Sequence, residues 1–252
     1  MKFGALIIGD EILSGKRQDK HMAKLIDTLG TRGLQLVWCQ YLGDEPELIT
    51  ETLERTFAQG DAVFSFGGIG ATPDDHTRAC AARAAGVRLE LHRDAEAEIR
   101  ARFGADLTPK RLAMGEFPTG SQIIPNPYNR IPGFSLKHHH FLPGFPAMAW
   151  PMMAWVLDTH YGHLIDPGRI AECSIIVRGC GESQLTDIMN QCLARYPQLK
   201  VFSLPRMQPE RQVELGVRGN ALQVPDAIGA IKQGVSALGF SWADPPRPVN
   251  RE

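Results

Sequence analysis

The sequence is poor in cysteine, in long apolar runs and in excess charge of either sign. Its five cysteines are scattered over 252 residues without a C-x-x-C pair, which argues against a disulfide framework or a zinc site. The longest apolar stretch covers residues 147–157 and contains a proline, so it is too short to cross a bilayer. A net charge of −1, from 27 basic and 28 acidic side chains, provides no overall field that would recruit nucleic acid or an anionic membrane. We therefore expect a cytoplasmic protein whose partners are neither nucleic acids nor membranes.

Strand and helix patterns alternate regularly through the first half of the chain. Three buried strands are each followed by an amphipathic helix. In chain order these six elements are predicted at residues 3–8, 20–32, 34–41, 47–58, 62–66 and 73–85. This βαβαβα order predicts a three-layer α/β domain, with a mostly parallel sheet and helices on both faces. A ligand of such a sheet is expected at the carboxyl ends of its strands.

The second half of the chain departs from this pattern. Proline and glycine are frequent between residues 118 and 146, an apolar helix is predicted at 148–157, and a further interruption covers 161–169. Beyond it the patterns predict a small α+β module of strand, helix, two strands and helix. Its elements are expected at residues 173–178, 182–195, 200–204, 212–217 and 225–238. The sequence thus predicts two domains, at residues 1–160 and 171–240.

Three glycines in four positions follow the third strand: Gly67, Gly68 and Gly70. Glycines here let backbone N–H groups approach an oxyanion, and the start of the next helix adds partial positive charge. The segment is not a Walker A loop, because no Gly-Lys-Ser/Thr follows it. A structural alternative is a helix cap made by Thr72 and Asp75. Since a cap alone leaves the three glycines unexplained, the segment is predicted to bind a phosphate group.

Each of the three predicted strands is followed by a carboxylate. Glu11 follows the first strand, Asp44 the second and Asp75 the third, so all three are expected at one edge of the sheet. Carboxylate oxygens grouped in this way are the ligands that Mg²⁺-type ions prefer. Taken singly, each acid is equally explained by turn or capping chemistry. Acids beside a phosphate would also repel it unless a divalent cation lies between them.

The resemblance to a known family lies in four ordered motifs. They read GDEILSG at residues 9–15, LGD at 42–44, GGIGATPDDHT at 67–77 and LPGFP at 142–146. These motifs resemble the signature of the molybdenum-cofactor biosynthesis (MoaB/MogA-like) domain family, and most closely the N-terminal part of its competence/damage-inducible protein A (CinA) form. The resemblance covers residues 3–160. The sequence departs from the family at Ala71, where the usual residue is Pro, and at His21, where the CinA form generally has Asn.

The resemblance implies which residues form the site. Glu11, Asp44 and Asp75 match the carboxylates that serve catalysis and a divalent metal, here Mg²⁺, Mn²⁺ or Co²⁺. The remaining matched positions are expected to contact the ligand. They are Ser14, Asp61, Gly67, Gly68, Gly70, Thr72, Asp74, Thr77, Pro143 and Gly144.

Three functions are compatible with these motifs. The favoured one is metal-dependent hydrolysis of a nucleotide diphosphate-sugar pyrophosphate resembling ADP-ribose, with the phosphate bound at residues 67–75. The alternatives are a molybdopterin-binding or adenylyl-transfer protein and a ligand-binding protein without enzymatic activity. In each case the partner is a small nucleotide or pterin, and the protein is expected to form a homo-oligomer, a dimer or a trimer.

Overall fold

The computed structural model describes residues 1–206 and 211–246, which form two compact units. The first unit is Met1–Ile165, and the second begins at Asp166. The division falls in the interruption at residues 161–169, between the two predicted domains.

The first unit contains eight strands and seven α-helices. In chain order they are β1 (Phe3–Ile8), α1 (Asp10–Leu13), α2 (His21–Gly30), β2 (Leu36–Leu42), α3 (Pro46–Gln59), β3 (Ala62–Phe66), α4 (Thr77–Ala85), β4 (Leu89–Leu91), α5 (Arg93–Phe103), α6 (Pro109–Leu112), β5 (Glu116–Pro118), β6 (Gln122–Ile124), β7 (Gly133–Leu136), β8 (His139–Leu142) and α7 (Pro146–His160).

Six of these strands form one sheet in the order β2-β1-β3-β8-β7-β6. The four strands β2, β1, β3 and β8 are parallel, and β7 and β6 continue the sheet in antiparallel pairing. A separate antiparallel pair joins β4 and β5.

The central strands are covered by helices on both faces, which confirms the predicted three-layer α/β class. Every residue of β1 and β3 is buried, as expected for parallel strands in the middle of such a sheet. On one face α2 and α7 pack through Leu25, Leu29 and Met152. On the other face α3 and α4 pack through Ile49 and Ala81. The continuous apolar runs that predicted β1 and β3 therefore have a direct physical basis.

The helix after the glycine segment begins later than predicted. We expected it at Pro73, whereas α4 begins at Thr77 and residues 72–75 form a turn closed by the Asp75 N–H to Thr72 carbonyl hydrogen bond of 3.0 Å. The turn forms because the Asp75 carboxylate accepts hydrogen bonds from the amides of Gly70 and Thr72 instead of capping the helix. The capping alternative is thus corrected: Asp75 stabilises the loop and not the helix end.

The apolar helix α7 lies in the core of the first unit. Its buried side chains include Ala149, Met152 and Val156, so the methionine-rich segment serves core packing. Within the described ranges, we find no helix with the length and apolar character that crossing a membrane requires.

The elements of the second unit are β9 (Ile170–Arg178), α8 (Thr186–Arg195), β10 (Lys200–Arg206), β11 (Gln212–Asn220), α9 (Val224–Ala237) and β12 (Trp242–Ala243). Its four strands form an antiparallel sheet in the order β10-β11-β9-β12. Helices α8 and α9 pack on this sheet around a core that includes Ile175, Val217 and Ile231. This arrangement confirms the expected small α+β module.

Two buried histidines at the start of β8 make the fold sensitive to acid. Burial lowers the pKa of both His139 and His140 to about 3. The unfolded chain binds their protons near pH 6.5, so the free energy of unfolding should fall as the pH drops below that value. We expect a loss of about 1.4 kcal/mol per histidine between about pH 7.5 and pH 5.5. Urea unfolding over this range measures the slope.

His139→Gln provides the control for this acid sensitivity. The His139 ring bonds to the Thr56 hydroxyl, and a glutamine amide retains a polar group there without titrating. The pH-dependent loss should then shrink by the share of one imidazole, about 1.4 kcal/mol, while His21, whose pKa burial also lowers, contributes equally in both proteins. An unchanged slope in this variant would show that the acid sensitivity arises elsewhere.

Candidate functional site

A groove lies at the carboxyl ends of β1, β3 and β8, and we call it the glycine groove. Its volume is about 410 Å³. Three chain segments form most of it: the residues after β1, the loop 67–75 and the loop 143–145. Its walls are Ile8, Gly9, Glu11, Arg17, Asp44, Gly67, Gly68, Gly70, Ala71, Thr72, Asp74, Asp75, Pro143, Gly144 and Phe145.

The first two glycines are required by the backbone path. Gly67 has a φ of +106°, and a Cβ at this position would overlap the carbonyl oxygen of Ile8 in the neighbouring strand. Gly68 has a φ of +68°, and a Cβ there would overlap the Thr77 hydroxyl. Positive φ values are unfavourable for residues with a Cβ. The tight approach of this loop to β1 and α4 therefore depends on glycine.

Two side chains hold the loop from opposite sides. The Asp75 carboxylate accepts hydrogen bonds from the Gly70 amide at 2.9 Å, the Thr72 amide at 2.8 Å and the Thr72 hydroxyl. The Arg78 guanidinium donates to the Gly70 carbonyl at 2.7 Å and also to the carbonyls of Ala113 and Glu116. Arg78 thus connects the loop to the segment before β5. These hydrogen bonds hold the loop in position without a ligand.

The groove offers donors for an anion. In the described part of the chain, the amides of Gly68 and Ala71 have no hydrogen-bond partner, whereas the neighbouring Gly67 and Gly70 amides do. Arg17 is exposed, lines the groove and forms no ion pair with the described residues. Free amides beside an unpaired guanidinium are the donors that recognise phosphate oxygens.

Acidic side chains, among them Asp44 and Asp74, also line the groove. Asp10 and Asp44 are bonded reciprocally, with the Asp10 amide donating to Asp44 at 2.9 Å and the Asp44 amide donating to Asp10 at 3.2 Å. Burial is the main cause that raises the pKa of Asp44; the Asp10 hydrogen bond opposes it, and the charges of Asp10, Glu11 and Asp74 raise it further. A phosphate would therefore meet both donors and repelling carboxylates.

The three predicted metal ligands line one groove, but among the described residues their carboxylates are not arranged to hold a metal ion. Glu11, Asp44 and Asp75 all reach the glycine groove, as their positions after neighbouring strands required. The Asp75 oxygens are already occupied by loop donors, and an Asp44 oxygen accepts from the Asp10 amide. Across residues 1–206 and 211–246, no three His, Cys, Asp or Glu side chains are arranged to hold a metal ion. This conformation does not fit a preformed metal site, and the metal remains a prediction.

A second cavity, which we call the side recess, adjoins the glycine groove. Its volume is about 290 Å³, and it shares Glu11, Arg17 and the loop 144–145 with the groove. His21 lines the recess, stacks on Phe66 at 4.5 Å between ring centroids, and bonds to the Gly144 carbonyl at 3.0 Å. Burial lowers the pKa of His21. The stacked His21 and Phe66 rings give the recess an aromatic wall suited to a planar ring.

Three of the expected ligand-binding residues lie outside the groove. Asp61 precedes β3, at the opposite end of that strand from the glycine loop, and its carboxylate accepts a hydrogen bond from the Trp38 indole at 2.9 Å. Thr77 is buried, and its hydroxyl donates to the Gly67 carbonyl at 3.1 Å. Ser14 lies in an adjoining acidic depression, which shares Glu11, Asp44 and Asp74 with the groove. Asp61 and Thr77 thus lie away from the groove walls and Ser14 lies beside the groove, and contact of these residues with a ligand stays a prediction.

The sequence reasoning missed four residues that shape the site: Asp10, Arg17, His21 and Arg78. Asp10 and His21 were noticed as motif positions, but no role followed from them. Arg17 could have been considered together with Lys16, because a phosphate site needs a cation and these two basic residues directly follow the first motif. Arg78 gave no signal, since its partners at 113 and 116 are distant in the sequence.

Comparisons with known proteins identify the first unit. The family model described as "Probable molybdopterin binding domain" matches residues 4–161. The crystal structure of the protein CinA from Thermoplasma acidophilum is 27% identical and superposes with a TM-score of 0.58. The match covers 66% of this chain and all of that one. The glycine groove thus lies in the matched region.

Two relatives match over nearly the whole chain. A protein of Caldivirga maquilingensis is 29% identical over 251 residues, covering 94% of this chain and 95% of its own length. A CinA-like protein of Citrifermentans bemidjiense is 35% identical over 251 residues and covers 96% of this chain. This chain spans only 60% of the CinA-like protein's length. The similarity to both therefore includes the second unit.

Proposed function

Because the chain belongs to the MoaB/MogA-like family of probable molybdopterin binding domains and is close to CinA within it, we propose that the glycine groove binds a phosphate-bearing pterin or nucleotide. The observation that carries this proposal is the pair of unpartnered amides at Gly68 and Ala71, which line the same groove as the unpaired Arg17. These groups would bind the phosphate oxygens. The side recess, which continues from the groove, would hold the heterocyclic ring.

The order of the loop supports a binding role. Asp75 and Arg78 form hydrogen bonds with neighbouring polar groups of the loop. Asp75 accepts from the amides of Gly70 and Thr72, and Arg78 donates to the carbonyl of Gly70. The amides left over are thereby presented in a fixed position, so little conformational entropy is lost when an anion binds. A preformed cradle of this kind supports tight recognition of a phosphate.

Arg17→Ala tests the proposed phosphate contact. Loss of the charge-assisted hydrogen bonds should weaken binding of ADP-ribose, ADP or a pterin phosphate by about tenfold or more. Titration calorimetry measures the dissociation constants. Lys16→Ala is the matched control, because Lys16 is the neighbouring base and lines neither the groove nor the recess. Equal losses in both variants would indicate a general charge effect and contradict the proposal.

A second candidate is hydrolysis of a nucleotide diphosphate-sugar pyrophosphate with a divalent metal. The carboxylates of Glu11, Asp44 and Asp74 support it, since they face the same groove as the phosphate donors and would repel a phosphate without a cation. Release of AMP from ADP-ribose with Mg²⁺, Mn²⁺ or Co²⁺, and its loss with a chelator, would support this activity. Binding without any product in the presence of the metals would leave a pterin- or nucleotide-binding protein. We also expect the protein to be cytoplasmic and to form a homo-oligomer. Analytical ultracentrifugation measures the oligomeric state.

A further inference from the structure

A cavity lined with histidines lies at the opposite end of the sheet from the glycine groove. It is formed where β7 ends, β8 begins and α7 ends, has a volume of about 520 Å³, and shares no residue with the groove. We call it the histidine cavity. Its imidazoles come from His138, His140, His160 and His163. Nothing in the proposed function uses this end of the molecule.

The ionisable side chains of the histidine cavity are all basic or neutral donors. Besides the four imidazoles, its walls include Lys137, Tyr161 and Ser135, and they include no Asp or Glu. The Lys137 ammonium lies 4.9 Å from the centre of the Phe57 ring, which is not part of the cavity wall. Clefts lined by groups of one sign attract ligands of the opposite sign. The composition of the walls therefore favours an anion.

A hydrogen-bonded chain in the wall supplies a further donor. The buried His140 ring joins the Ser135 hydroxyl, 2.8 Å from Nδ1, to the Tyr161 hydroxyl, 2.7 Å from Nε2. Burial lowers the pKa of His140 to about 3, so the ring is neutral and has one N–H and one lone pair. One hydroxyl therefore donates to the ring, while the other accepts from it.

Whichever tautomer is present, the hydroxyl that accepts from the ring keeps its own O–H free. Burial raises the pKa of Tyr161 to about 12, so that its hydroxyl also stays protonated. The free proton belongs to Ser135 or Tyr161, and both line the cavity. The wall thus offers an O–H donor in addition to the imidazoles of His160 and His163.

The donors of the cavity fit an oxyanion better than a metal ion. Histidine clusters are common metal sites, but within the described residues no three His, Cys, Asp or Glu side chains are arranged around one point. O–H and N–H donors instead match the acceptor oxygens of a phosphate. We propose that the histidine cavity is a second ligand site, separate from the glycine groove, that binds a small phosphate-class anion through His160, His163 and the free hydroxyl of the Ser135–His140–Tyr161 chain.

Ring-nitrogen NMR of the histidines tests this site in the full chain. Inorganic phosphate, added at about pH 6.5 where imidazoles titrate, should produce saturable shifts of His160 and His163. Sodium chloride at matched ionic strength should not. Glycerol 3-phosphate serves as a second probe, and tighter binding of it would assign a phosphate ester instead of the free ion. Equal shifts with chloride, or shifts that do not saturate, would overturn the proposal.

Two variants separate the histidine cavity from the glycine groove. The double variant His160→Gln, His163→Gln should weaken phosphate binding at the cavity by about tenfold or more, followed through the His138 signals. Both residues lie at or after the end of α7. The unfolding midpoint of the double variant checks that the protein still folds. Arg17→Ala should leave the cavity response unchanged.

The remaining outcomes also decide between the alternatives. Loss of the cavity response in Arg17→Ala would mean that the phosphate binds at the groove, which overturns this proposal and leaves the proposed function intact. Saturable shifts with Zn²⁺ and none with phosphate would assign a metal site and likewise overturn it.

Discussion

Asp75→Asn should weaken ligand binding about a hundredfold and lower the free energy of unfolding by about 2 kcal/mol. The Asp75 carboxylate accepts three hydrogen bonds within the glycine loop, from the amides of Gly70 and Thr72 and from the Thr72 hydroxyl. An asparagine keeps one acceptor oxygen and directs an NH₂ group toward the remaining donors. The loop would then lose the fixed position of its free amides. Calorimetry with ADP-ribose and urea unfolding measure the two effects.

Asp74→Asn is the matched control for this experiment. Asp74 lines the same groove and carries the same charge, but it is exposed and accepts no hydrogen bond from the loop amides. Its stability should change by less than about 0.5 kcal/mol. If the two variants weaken binding equally without loss of stability, charge and not loop order is what the ligand requires. That result would favour the metal-dependent activity, because a cation needs the carboxylate charge.

Gly67→Ala should lower the free energy of unfolding by about 3 kcal/mol or more and abolish ligand binding. The substitution introduces a Cβ where φ is +106°, directly against the carbonyl oxygen of Ile8. The Gly67 amide also donates to the Leu142 carbonyl at 3.0 Å, so any shift of this residue disturbs the ends of β1, β3 and β8 together. Urea unfolding of the full chain gives the stability change, and calorimetry gives the loss of binding.

Gly60→Ala separates the two causes of that destabilisation. Gly60 ends α3 with a φ of +70°, and a Cβ there would meet no atom within 4 Å. Only the conformational cost remains, so the expected loss is about 1 kcal/mol. If Gly60→Ala and Gly67→Ala destabilise the chain to the same extent, the overlap with Ile8 contributes nothing, and the loop is less tightly fixed than the structure indicates.

Some features of the site follow from local chemistry and were accessible in the sequence. The start of α2 is one of them, because the carboxylate of the preceding Asp19 accepts hydrogen bonds from the amides of His21 and Met22. Glu11 and Asp44 were expected at one edge of the sheet, and both line the glycine groove. These predictions depended on spacing within one loop or on which end of a parallel strand a residue follows. Such information is contained in short segments.

Other features depended on contacts between distant segments. The stretch rich in proline and glycine contains β6 and β7, whose antiparallel pairing extends a parallel sheet. No local sequence pattern distinguishes a parallel strand from an antiparallel one. His139 and His140 form consecutive residues of one strand, yet both are buried because each face of β8 is covered. Side chains that alternate across a strand are both enclosed only when the sheet has a layer on each side.

The sequence by itself determined the fold class, the family and the position of the glycine loop, because apolar periodicity and glycine placement act over a few residues. Only the tertiary structure decided how that loop is held. Arg78 reaches carbonyls at 113 and 116, and His21 bonds to the carbonyl of Gly144, which lies 123 residues away. Asp61, equally acidic and equally close to a strand, lies at the other end of β3. A residue's type states what it can bind, but the packing of the sheet and its covering helices selects the partner it meets.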